Sequence, residues 1–180
     1  MAHVKVVRRS MRPEEWTDLR FVWLQRGIYE KKFEITDLEI RDARQISEDQ
    51  YEYYSDEYRP LKKDDMYFTP DGTAFIRGHV QIPAHMKGKN IYFTLHTAAE
   101  MIVKINGKYV GGVDPNRERI LLNPYIDSDD LTIEIEAYNR SKPDDERNPA
   151  SLAHRGCRQI FEGAYLSTIR DNVQSLVYDY

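Results

Sequence analysis

Side chains able to do acid–base, nucleophilic or metal chemistry are scattered along this sequence. The five histidines are His3, His79, His85, His96 and His154. None sits in a His-x-His, His-x-Asp or HExxH neighbourhood, the local spacings that bring two ligands to one ion. His79 and His96 fall on the polar phase of alternating stretches, where a solvated imidazole is the ordinary outcome. Cys157 lies between Gly156 and Arg158. The basic neighbour could lower its thiol pKa, yet no nucleophile signature surrounds it, and a structural thiol is the expectation. There is no GxSxG elbow, and Gly111-Gly112 is a pair without the GxGxxG pattern of a phosphate loop. With 30 carboxylates in the chain, any two could be drawn as a glycosidase dyad, so their number decides nothing.

One local cluster has the right chemistry for binding: Asp114-Pro115-Asn116-Arg117-Glu118. Loops at the ends of strands are where β domains bind things. Its carboxylates, amide and guanidinium suit sugar hydroxyls, and its oxygens suit a hard cation such as calcium. The competing reading is structural: Asp114 and Asn116 fix a turn by side-chain to backbone bonds.

The elements that must position this cluster are strands. Ile91, Phe93, Leu95 and Thr97 alternate with polar partners, and so do Met101, Val103 and Ile105. That period of two buries one face of a strand. Asn106-Gly107 then supplies two residues tolerant of positive φ, the demand of a type I′ hairpin turn. The returning Lys108-Tyr109-Val110 leads through Asp114-Pro115-Asn116 to Arg119-Ile120-Leu121-Leu122, and the whole stretch reads as the middle of an antiparallel sheet. Further strands are predicted at 33–40, at 74–82 and at 131–138. Arg77, His79 and Gln81 lie on the polar face of one; Thr132, Glu134, Glu136 and Tyr138 on that of another. Pro83 ends the 74–82 strand because it lacks a ladder donor. The tyrosine-rich stretch 42–67 reads as a long loop or as edge strands wrapping the surface. Residues 13–29 predict a helix opened by Pro13, Glu14 and Glu15. Leu166, Ile169, Val173, Leu176 and Val177 predict a second over 163–180, whose apolar stripe runs to Tyr180 without a stop signal. Leu176, Val177 and Tyr180 are the candidate contacts to another domain.

These strands make a jelly-roll-like antiparallel β-sandwich the expected fold, flanked by N- and C-terminal helices. The expected division is a helical segment over 1–32, a sandwich over 33–160 and a helix over 161–180. Composition bounds the rest. Hydrophobic residues make up 41% of 180, enough for a sizeable core. The formal net charge is −4 with both signs mixed, which argues against a nucleic-acid partner. One cysteine excludes an internal disulfide. No apolar run approaches the ~18 residues of a membrane span, and no signal peptide is evident. A soluble, cytoplasmic domain is the expectation.

Several segments resemble the N-terminal β-sandwich domain of the glycoside hydrolase family 38 α-mannosidases. They are Thr69-Pro-Asp-Gly-Thr-Ala-Phe-Ile-Arg77 through Val80-Gln-Ile-Pro83; Ala99-Glu-Met-Ile-Val-Lys-Ile-Asn-Gly107; and Gly112-Val-Asp-Pro-Asn-Arg-Glu118 with Ile120-Leu-Leu122. Ala164-Tyr-Leu166 followed by Val173 to Asp179 is similar to the family's helix leading toward the catalytic domain. The family often carries His where this chain has Arg117. The resemblance implies a galactose-binding-like sandwich, inert by itself, packed on a catalytic domain that retains configuration in hydrolysing α-mannosides. It places the zinc and the Asp nucleophile in that other domain, with no cofactor or metal in this chain. Mannose-containing oligosaccharides are the implied ligand, met through Asp114, Asn116, Arg117 and Glu118; a free-standing carbohydrate-binding module is the alternative.

Overall fold

The computed structural model describes residues 21, 24, 25, 27–65, 72–96, 99–114, 117–138 and 161–179. The chain divides into two compact units, Met1–Glu30 with Ile169–Tyr180, and Lys31–Thr168.

The described residues form eleven strands: β1 (Tyr29–Ile35), β2 (Leu38–Ser47), β3 (Gln50–Tyr53), β4 (Arg59–Pro60), β5 (Thr73–Gln81), β6 (Tyr92–Leu95), β7 (Glu100–Ile105), β8 (Lys108–Val113), β9 (Arg119–Leu121), β10 (Asp130–Tyr138) and β11 (Ala164–Ile169). One helix, α1 (Asp171–Asp179), follows them. The larger, seven-stranded sheet runs β3-β2-β5-β10-β7-β8, with β4 paired to β2; the smaller, four-stranded one runs β1-β11-β6-β9. All the registered pairs are antiparallel.

Alternation decides which side chains meet between the sheets. On β10, Leu131, Ile133, Ile135 and Ala137 are buried while Thr132, Glu134 and Tyr138 are exposed. Ile135 stands opposite Ile76 of β5 on one side and Val103 of β7 on the other. These residues, with Ile40, Phe93, Leu95 and Leu166 from both sheets, form one continuous apolar core. Burying each such side chain stabilises the fold by roughly 1.5–3 kcal/mol. The protein is therefore an antiparallel β-sandwich, as the alternation predicts.

The hairpin is present where Asn106-Gly107 places it, with φ of 50° and 74° at the two central residues. Asn106 does more than tolerate that geometry. Its Oδ1 accepts from Thr132 N–H at 2.8 Å, tying the turn to β10. The surrounding stretch is not the middle of a single sheet, however. β7 and β8 belong to the large sheet, β6 and β9 to the small one. Between β6 and β7 the chain passes from the small sheet to the large one, and between β8 and β9 it returns.

Two other expectations are corrected. Residues 164–169, expected inside the closing helix, form β11, and the helix begins only at Asp171. Leu166, Ser167, Thr168 and Ile169 are all buried. A strand covered on both faces shows no period of two, so its apolar spacing passes for helical. The N-terminal helical segment is helical at Phe21, Leu24, Gln25 and Gly27 but gives way to β1 at Tyr29; residues 13–20 lie outside the described residues. Of the two readings of the tyrosine-rich stretch, edge strands hold: up to Asp65 it supplies the end of β2 with β3 and β4, which lie along the edge of the large sheet.

In the smaller unit, Arg170 is tied to the single segment 27–29. Its backbone N–H donates to Ile28 O at 2.7 Å, and its Nη1 donates to Gly27 O at 2.6 Å and Tyr29 O at 3.0 Å. Asp171 then sits in the first turn of α1, where the dipole favours an anion. Leu176 is 50% exposed and Val177 half-buried, while Tyr180 lies outside the described residues.

Candidate functional site

The cluster singled out in the sequence divides in two. Asp114 and Arg117 close a tight turn: each backbone N–H donates to the other's carbonyl, at 3.1 and 3.0 Å. Arg117 N–H also reaches Asp114 Oδ1 at 3.0 Å, and its Nε donates to Oδ2 at 3.0 Å. These are the turn-fixing bonds of the structural reading. Asn116 lies outside the described residues. Glu118 points elsewhere. Its carbonyl accepts from Leu95 N–H at 3.0 Å, prolonging the β6–β9 pairing and setting its carboxylate beside His96.

His96 Nδ1 stands 3.1 Å from Glu118 Oε2, and Lys32 Nζ of β1 lies 3.3 Å from His96 Nε2. The Tyr165 ring of β11 completes the group, 6.0 Å from the imidazole centroid and 5.1 Å from Lys32 Nζ. The hydrogen bond from His96, helped by Lys32 and Arg119, holds the Glu118 carboxyl below the ordinary range despite its partial burial. A depressed carboxyl contributes stability above its unfolded pKa and loses it as pH falls through the folded value. Wild type is therefore expected to be more stable than Glu118→Gln at neutral pH, the difference shrinking below about 4.5, the ordinary carboxyl value. Urea midpoints measured from neutral pH down to strong acid check this; a gap independent of pH would count against the pair.

The larger candidate surface is the outer face of the seven-stranded sheet. Register sets its side chains in rows: Glu39 of β2, Arg77 of β5, Glu134 of β10 and Lys104 of β7 follow one another, with Tyr109 of β8 beyond. Charge alternates along that row, the favourable cross-strand arrangement. The next row carries Arg41, Phe75, Glu136 and Ile102. Arg77 Nη2 lies 2.7 Å from Glu39 Oε2. The same guanidinium sits 4.0 Å over the Tyr58 ring, and that of Arg41 lies 3.5 Å over Tyr53. Tyr51 packs edge-on to Phe75 at 4.8 Å and donates its hydroxyl to Glu136. That bond, with burial and the nearby negative charge, pushes the phenol up to about 12.

Between these rows lies a cleft of about 270 Å³ walled by Tyr58, Arg77, Ile102, Lys104, Tyr109 and Glu134. A second, of about 420 Å³, takes Asp114, Arg117 and Tyr138 into its wall and shares Ile102 and Glu136 with the first. Asp114 and Arg117 thus border one end of a continuous shallow surface. Tyr109 is 67% exposed and Ile102 51%, so apolar area faces solvent between paired charges. Such a surface can stack on a flat apolar face and exchange hydrogen bonds with hydroxyls around it. Sequence reading had the polar faces of β5 and β10 and the tyrosines, but could not say that these strands are neighbours. Among the described residues, no three His, Cys, Asp or Glu side chains converge as metal ligands.

Fold and site together define an antiparallel β-sandwich with an aromatic, charge-paired outer face. No family model matches the sequence, and no curated protein matches it either. In solved structures, the chain is similar to a calcium-binding mutant of Bacteroides uniformis β-glucuronidase 2, with TM-score 0.46 and 21% identity over 76% of this chain and 18% of that one. It is also similar to the β-D-glucuronidase of Dictyoglomus thermophilum, with TM-score 0.45 and 17% identity over 77% of this chain and 28% of that one. The chain spans less than a third of either protein.

Proposed function

We propose that this chain is a noncatalytic β-sandwich domain of a glycosidase, in the finer reading the N-terminal domain of a family 38 α-mannosidase. It packs on a catalytic domain and shapes the access of mannose-containing oligosaccharides. The observation that carries the reading is the outer face of the large sheet, shallow and aromatic with its charges paired. Among the described residues, no constellation of nucleophile, acid and base forms on it. The resemblance of the 69–83 and 99–122 segments supplies the mannosidase part. Zinc and retaining hydrolysis belong, in this reading, to the catalytic domain, with Leu176, Val177 and Tyr180 among the interdomain contacts, and the cytoplasm is the proposed compartment.

A second reading, a free-standing carbohydrate-binding module, is favoured by the exposed Tyr109 ring beside Lys104 Nζ, 4.6 Å from its centroid. Titrating mannose oligosaccharides against the labelled chain and following amide NMR separates the two. Saturable shifts confined to the strands around Arg77, Ile102, Tyr109 and Glu134, at millimolar or lower concentration, make this face the sugar site and favour the module. An unchanged spectrum favours the packing role. Mannoside turnover by the chain alone, with contaminants excluded, overturns both.

A further inference from the structure

We propose that Lys32 is a nucleophilic amine, poised by His96 and Glu118 to accept an acyl group from an acyl thioester. This goes beyond the proposed function and does not depend on it. Four elements bring the group together: β1 carries Lys32, His96 follows β6, Glu118 precedes β9, and Tyr165 lies on β11. Their order in space is nucleophile, base, carboxylate, the arrangement by which an imidazole activates a weak nucleophile.

The polarity of the chain of contacts follows from the donor inventory. An ionised carboxylate only accepts, so the His96 nitrogen facing Glu118 at 3.1 Å carries the hydrogen. Nε2 is then left with its lone pair toward Lys32 Nζ, 3.3 Å away. Glu118 thus does for His96 what the third member of a triad does: it fixes the tautomer and stabilises the imidazolium formed when a proton arrives. Tyr165 presents its ring to the amine 5.1 Å away, covering it on one side. Lys32 is exposed as a residue, and the partial burial of its amine draws the ammonium below its ordinary value, with Glu118 opposing. Arg119, at the start of β9, adds its charge beside Glu118.

The step balances without any further reagent. The neutral Lys32 amine attacks the thioester carbonyl, forming the C–N bond. The C–S bond breaks, and the amine proton passes to His96 Nε2 and on to the departing thiolate. The products are an Nε-acyl lysine and a free thiol. Acylation removes the charge, and with it the cation–ring contact to Tyr165.

Lys31 is a built-in reference, since its side chain leaves the opposite face of the same strand. The full chain is treated near neutral pH with the acetyl thioester of N-acetylcysteamine, and acetylation at each lysine is followed by peptide mass spectrometry. Lys32 is expected to react at least about tenfold faster than Lys31, a floor set beneath the roughly 10²–10⁴-fold that a positioned general base supplies. His96→Gln should bring it to within about twofold of Lys31, with Glu118→Gln in between. The Lys32 rate should also level off below the ordinary lysine value of 10.5. Equal rates at Lys31 and Lys32 in the wild type overturn the proposal, and need no variant to fold. So does a folded His96→Gln chain that keeps the Lys32 advantage.

Discussion

Truncating Phe93 to alanine is expected to lower the melting temperature by about 8–16 °C, the consequence of losing roughly 4 kcal/mol. Phe93 lies on β6 opposite Ile120 of β9 and Leu166 of β11, and it is fully buried. Its ring fills the core from the smaller sheet, and neighbours held in two hydrogen-bonded layers cannot collapse far into the space it leaves. Both the lost transfer free energy and the cavity therefore count. Ile102→Ala is the matched control. Its side chain is 51% exposed on the outer face of β7, so truncation leaves no enclosed void and should cost less than about 1 kcal/mol. Thermal unfolding followed by circular dichroism decides it. Equal shifts for the two variants would mean that the core does not lie between these sheets.

Gly78→Ala is expected to destabilise by about 3 kcal/mol, the upper part of the range for overpacking. Gly78 is on β5, between Leu38 of β2 and Ile133 of β10. A Cβ placed there would stand 2.4 Å from the Asp37 carbonyl oxygen and 2.4 Å from Leu38 Cδ2. Leu38 is a side chain and can give way; the Asp37 carbonyl is backbone, leading into β2. It also accepts from His79 N–H at 3.2 Å, so moving it breaks a bond. Glycine here serves close approach, the usual meaning of that residue inside a strand. Adding Leu38→Ala to Gly78→Ala should recover little, because the carbonyl remains. Urea unfolding of the two single variants and the double tests this; recovery to the level of Leu38→Ala alone would assign the clash to the side chain and remove the backbone argument.

What could be read from the sequence is what depends on near neighbours. Alternation on β5, β7 and β10 assigned Ile76, Val103 and Ile135 to a buried face, because a half-buried strand must show a period of two. Asn106-Gly107 marked its turn, because positive φ is a local demand that these two residues meet. A mainly β, antiparallel sandwich followed from such pieces. Asp114 was correctly given a turn-fixing alternative for the same reason, since its partner Arg117 is three residues away.

What the sequence could not decide depends on pairing across the chain. The layer assignment of β6 and β7 turns on the few residues between them, and their patterns are alike whichever sheet they join. β11 was hidden because burial on both faces erases alternation. Glu118 and His96 are 22 positions apart, and Lys32 is 64 from His96; only the order β1-β11-β6-β9 makes them one group. Likewise the outer face of the large sheet gathers Arg77, Lys104 and Tyr109 from β5, β7 and β8 by register, with Tyr58 added from the segment before β4. A register shift of one residue would send each of the strand-borne side chains to the core. Local chemistry determined the strands and turns of this protein; the placing of one strand beside another, set by the packing of two sheets on a shared core, decided which side chains could act together.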